Sequence, residues 1–163
     1  MKKFLFASLF LLGMAVVPAK AQIVQGFFVY GFDQFSNQGA DKSFNTFGAE
    51  VNVFIPTTKW GINAGYSTGS VKHENAMFED GKAHNWNVGV AYKLIKLPLV
   101  SVAPIVGLNG YSQPNIENAS ENFTRDTEFG LDLGLTAHVA FIAAIAKYDP
   151  VKNYGEVGIG FSF

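Results

Sequence analysis

Residues able to do chemistry are scarce in this sequence. It has three histidines, His73, His84 and His138, and no cysteine, which excludes thiolate metal sites and a disulfide framework. His73-Glu74 could open an H-E-x-x-H motif, in which two imidazoles bind zinc and the glutamate acts as base. The second histidine would fall at Met77, so the motif fails. With Glu79, Asp80 and His84 nearby, the stretch reads as a solvated polar loop rather than a metal site. An acyl hydrolase would need a serine beside a histidine that a carboxylate orients. None of the three histidines has an identifiable outward-facing serine at a compatible height. The reading is therefore non-enzymatic, with no catalytic residue, no metal and no cofactor. Asn118-Ala119-Ser120 and Asn122-Phe123-Thr124 match glycosylation sequons and indicate only surface exposure.

A different polar set stands out: Glu50, Asn52, Asn63, Lys93, Glu128, Asp132, Lys147 and Glu156. Most of these occupy alternate positions among glycines, opposite a face of apolar residues. Period two means extended strands whose faces meet different surroundings. In the clearest segments, Trp60, Ile62, Ala64 and Tyr66 oppose Gly61, Asn63, Gly65 and Ser67, and Trp86, Val88, Val90 and Tyr92 oppose Asn85, Asn87, Gly89 and Ala91. The same alternation runs through 24–33, 47–55, 100–109, 128–136 and 154–163. Pro104 lacks a ladder donor, so a bulge is expected there. The segment 141–148 is mostly Ile and Ala, and its facing is ambiguous. That gives eight strands. Polar connections follow strands one, three, five and seven, with the longest at about 70–83 and 112–125. Short ones follow two, four and six, the last near Ala137-His138-Val139.

The start of the chain sets a compartment. Lys2 and Lys3, an apolar run from Phe4 to Val17 and the site Ala19-Lys20-Ala21 form a secretory signal peptide, with the mature domain spanning 22–163. A formal charge of −1 and a single arginine, Arg125, give no electrostatic case for nucleic acid. Hydrophobic content of 48% without a helix-length apolar run after the leader favours many half-apolar strands.

Val157, Ile159, Phe161 and Phe163 alternate with Glu156, Gly158, Gly160 and Ser162 to the end of the sequence. This ending resembles the C-terminal strand of bacterial outer-membrane β-barrel proteins, which implies an assembly signal read by the barrel-assembly machinery. The whole pattern is similar to the small barrels of the OmpX-like proteins and of OmpA-like barrel domains. The implied fold is all-β: an eight-stranded antiparallel up-and-down transmembrane barrel. With the sequence ending at Phe163, no peptidoglycan-binding domain is expected. Trp60, Tyr66, Trp86, Tyr92 and Phe129 fall near strand ends, where aromatic girdles meet headgroups.

The expected location is the bacterial outer membrane, among lipid and lipopolysaccharide, with a structural or surface-interaction role carried by the loops toward an unidentified host or surface ligand. The alternatives are a lipid A-modifying enzyme, a narrow pore and a soluble secreted barrel holding an apolar ligand. A soluble carrier would reverse the pattern, with an apolar inside and a charged outside. Inside an eight-stranded barrel, isolated carboxylates are costly and need partners. If the seventh strand turns its odd residues inward, Lys147 is expected between Glu128 and Glu156.

Overall fold

The computed structural model describes residues 24–33, 45–71, 81–97, 99–114 and 125–163. The leader, His73, Glu74, Glu79, Asp80 and both sequons lie outside the described residues. Eight long strands follow one another: β1 Val24–Asp33, β2 Asn45–Phe54, β3 Trp60–Val71, β4 Gly81–Tyr92, β5 Val100–Pro114, β6 Arg125–Val139, β7 Ile142–Asp149 and β8 Tyr154–Ser162. Each pairs antiparallel with its chain neighbours. β8 also pairs with β1, from Gln25↔Ser162 to Asp33↔Tyr154, and this ladder closes the sheet. Val24 and Phe163 complete the seam by exchanging backbone hydrogen bonds of 3.1 and 2.8 Å. Closure satisfies the strand edges without a partner.

The period-two pattern decides which way each side chain points. In β1 and β8 the exposed positions are apolar, with Phe28 and Ile159 each 73% exposed, whereas Gln25 and Asn52 inside are 0% exposed. Val51, Val53, Ile62, Val88, Val90, Leu131, Leu133 and Leu135 continue the apolar exterior. The interior holds an apolar cluster of Phe27, Val29, Phe54, Ala91, Ala103, Ile105, Ala143 and Ile145, together with the polar residues described below. β7 turns Ala143, Ile145, Lys147 and Asp149 inward, which resolves the facing that its Ile/Ala composition left open.

Three local expectations need correction. β6 does not turn at Ala137-His138-Val139. It runs to Val139, and the hairpin is made by Ala140-Phe141, with Ala140 at φ 55°. The alternation of Thr136 and His138 into the lumen is stronger than the weak turn signal of that tripeptide. The bulge expected at Pro104 lies on the facing strand: Ala91↔Ile105 is followed by Ile95↔Val102, so Tyr92, Lys93 and Leu94 oppose only Ala103 and Pro104. Val102 accepts from Leu94 N–H on the edge it shares with Pro104, so the missing proline donor meets the bulge. Finally, β3 and β4 extend to Val71 and from Gly81, and β5 and β6 to Pro114 and from Arg125, so the ends of the expected loops are strand.

Interior glycines let neighbouring backbones close up. A Cβ on Gly48 would lie 2.1 Å from the Tyr66 carbonyl oxygen and 2.5 Å from Ser67 Cα, both backbone atoms that cannot swing aside. Gly48→Ala is therefore expected to lower barrel stability by about 1–3 kcal/mol, read as a lower urea midpoint with barrel structure retained.

Candidate functional site

Inside the barrel one polar network runs from the turn-side end to the loop-side end. It begins where β5 and β6 approach their shared turn-side end, with Ser101 Oγ 2.6 Å from His138 Nδ1. The same ring nitrogen meets Gln25 Nε2 at 3.0 Å. Gln25 Oε1 accepts from Asn52 Nδ2 and from Thr136 Oγ1, both at 3.1 Å. Asn63 Nδ2 then donates to Asn52 Oδ1 and Glu50 Oε1.

The centre is an ion pair with two partners. Lys147 Nζ lies 2.8 Å from Glu50 Oε2 and 3.0 Å from Asp132 Oδ2, and all three side chains are buried. Glu156 adds a third carboxylate facing this ammonium, and it accepts from the Tyr154 hydroxyl at 3.2 Å. Tyr154 in turn meets Thr46 Oγ1 at 2.8 Å. Toward the loop side, Asn109 Nδ2 donates to Asp132 Oδ1 and Asp149 Oδ2. Asp149 Oδ1 accepts from the backbone N–H groups of Val151 and Lys152, tying the network to the β7–β8 turn. A fully buried charge needs such partners, since its desolvation costs several kcal/mol.

Of the eight polar residues singled out in sequence, Glu50, Asn52, Asn63, Lys93, Asp132, Lys147 and Glu156 are buried. Glu128 is not. It has interior parity, but it stands beyond the filled lumen at the rim, about half exposed, and pairs with Lys152 of the β7–β8 turn. Lys147 therefore finds Glu50 and Asp132 where Glu128 was expected. Lys93 closes the other end. It lies just past β4, with its Nζ 4.0 Å from the centre of the Phe54 ring. Burial, and secondarily the charge of Lys96, push its ammonium down to about 8.

The described lumen is occupied by side chains that bond to one another, over an exterior of aliphatic and aromatic groups. Known proteins place this arrangement. No protein-family model matches the sequence, and no curated protein matches it. Among solved structures, the chain is similar to Ail, the attachment invasion locus protein of Yersinia pestis, in complex with the heparin analogue sucrose octasulfate. The TM-score is 0.57 at 13% identity, covering 86% of this chain and 97% of that one. The chain has the fold of the small outer-membrane β-barrels. The N-terminal β-barrel domain of Pseudomonas aeruginosa OprF also aligns, with a TM-score of 0.49, 15% identity, and coverage of 88% of this chain and 99% of that one.

On the barrel exterior the aromatic residues form two groups. At the loop side, Tyr66 pairs with Trp86 across the ladder, and Trp86 meets Phe129 edge-on with centroids 6.1 Å apart. Gly110 makes this possible: a Cβ there would lie 2.3 Å from the indole. At the turn side, Trp60 and Tyr92 pack at 4.7 Å, and Phe161 and Phe163 at 6.4 Å. Val157, Ile159 and Phe161 are exposed on the wall.

The barrel register also bears on the histidines. His84 faces outward at the loop end of β4, with Tyr66 Oη at its Nδ1, and its ladder partner is Ser112. A serine at the height of His84 therefore exists, contrary to the sequence reading. Residue order alone hides it, because Ser112 falls beyond the expected end of its strand. The imidazole meets the Tyr66 hydroxyl there. His138 is an interior network residue. Gln25, Ser101, Asn109, Thr136 and Asp149 also belong to the network, and extending the inward parity of β1, β5, β6 and β7 finds each of them.

Proposed function

We propose that this chain is an integral outer-membrane barrel with a filled lumen, non-catalytic, that presents surface segments to the cell exterior. The observation that supports it is the inversion of polarity: an apolar exterior around a bonded polar interior. In water this arrangement would expose a continuous apolar surface, whereas in a bilayer it is the arrangement lipid demands. On this reading the wall contacts lipid and lipopolysaccharide, the leader is cleaved during export, and the Val157–Phe163 alternation serves the assembly machinery.

The surface role rests with the segments that join the strands at the loop side. Residues 34–44, 72–80 and 115–124 carry six acids and two lysines. Ail, by its name an attachment protein, holds a heparin analogue. An acidic set of segments suits a cationic or neutral surface and disfavours a sulfated polyanion.

The test is a gel-mobility assay on detergent-extracted outer membrane. The folded barrel is expected to resist SDS and to shift on boiling. Recovery in the soluble periplasmic fraction would contradict the proposal. In planar bilayers the filled lumen is expected to give no steady single-channel current. A reproducible ohmic step would favour the pore reading instead.

A further inference from the structure

The acidic side chains of this barrel are absent from its turn-side connections. Every one of the thirteen acidic side chains belongs to the strands or to the loop-side segments, and the turns 55–59 and 93–99 hold Lys59, Lys93 and Lys96 with no acid. These two turns touch. Lys93 N–H donates to the Lys59 carbonyl at 2.8 Å, and Lys96 Nζ donates to the Thr58 carbonyl at 3.3 Å. Lys59 Nζ stands 5.9 Å from the centre of the Tyr92 ring, which packs on Trp60. Neither Lys59 nor Lys96 meets a carboxylate within ion-pair distance among the described residues.

A second feature is out of keeping with a turn that faces only water. Leu94, Ile95, Leu97 and Leu99, between and beside the lysines, are all exposed, as are Ile55 and Trp60. One cation beside an aromatic pair and a second on the adjoining turn, both flanked by aliphatic side chains, match an amphiphile with an anionic head and apolar tails. The aromatic pair sets the depth at the headgroup level, where Trp and Tyr settle. The lysines then lie at the phosphate plane, and the leucines point toward the acyl region beside it.

We propose that the turn-side rim around Lys59 and Lys96 binds the headgroup of an anionic phospholipid in the periplasm-facing leaflet. The site rests on the membrane reading above. Lysines near an anionic membrane surface each contribute about fivefold in association at low ionic strength, and salt weakens them.

The experiment uses the full mature chain refolded into phospholipid vesicles, with spin-labelled phosphatidylglycerol or phosphatidylcholine as the probe. The wild type is expected to immobilise phosphatidylglycerol in preference to phosphatidylcholine, and high salt is expected to reduce the preference. Lys59→Gln with Lys96→Gln is expected to abolish it, while Lys82→Gln at the opposite rim leaves it in place. The boiling-dependent mobility shift confirms that each variant has folded. Equal immobilisation of both lipids by the wild type, or a preference that survives the double substitution, would overturn the site while leaving the barrel in the membrane. Immobilisation of neither lipid would overturn the membrane reading, and the site with it.

Discussion

Lys147→Met is expected to destabilise the barrel by about 3–5 kcal/mol, because it leaves the Glu50 and Asp132 carboxyl groups buried without their ammonium. The cost comes from the stranded carboxylates more than from the lost attraction. Adding Glu50→Gln and Asp132→Asn to the same chain is therefore expected to recover most of the loss. Both amides keep an acceptor oxygen for the Asn63 and Asn109 donors. Urea unfolding in detergent micelles, followed by tryptophan fluorescence, measures both steps. A single substitution that costs less than about 1 kcal/mol, the scale of an exposed pair, would show that water reaches the centre of the lumen.

Val88→Arg is the second large effect. Val88 lies well inside β4, half exposed on the outer wall between Ala64 and Leu108. An arginine there must sit near the bilayer midplane, at a cost of about 2–4 kcal/mol. The same substitution at Leu94, beside the turn-side rim, is expected to cost at most about 1 kcal/mol, since its guanidinium can reach the headgroups. The comparison is diagnostic because a water-facing wall would accept arginine at Val88 with little change. Equal effects at the two positions, measured by unfolding in phospholipid vesicles, would contradict lipid contact at Val88.

Much of this architecture is readable from residue order alone. Alternation of the kind seen from Trp60 to Ser67 fixes both strand and facing, because a bilayer and a polar lumen select opposite side chains at adjacent positions. The reading loses force where both faces carry similar groups. In β7, Ile142, Ala144 and Ala146 face out, and Ala143 and Ile145 face in, so only Lys147 and Asp149 reveal the phase. The hairpin at Ala140-Phe141 was hidden for a related reason. Alanine takes a positive φ that such turns usually give to glycine or asparagine, so no turn residue marks it.

The interior network was legible as a set of residues but not as a set of pairs. Gln25 and His138 bond across 113 positions, and no local pattern encodes that meeting. It depends on the register of every intervening strand. Glu128 shows the same limit: parity turned it inward, while its height above the packed lumen, set by where β6 begins, left it at the rim with Lys152.

The most direct test of the central claim uses the absence of native cysteine. Single cysteines placed one at a time from Asn87 to Ala91 in β4 would carry a nitroxide, with the protein refolded in phospholipid vesicles. Collision with dissolved oxygen, which concentrates in the hydrocarbon, is predicted to be high at 88 and 90 and low at 87, 89 and 91. A flat profile, or one with the opposite phase, would contradict a barrel whose oily face meets lipid.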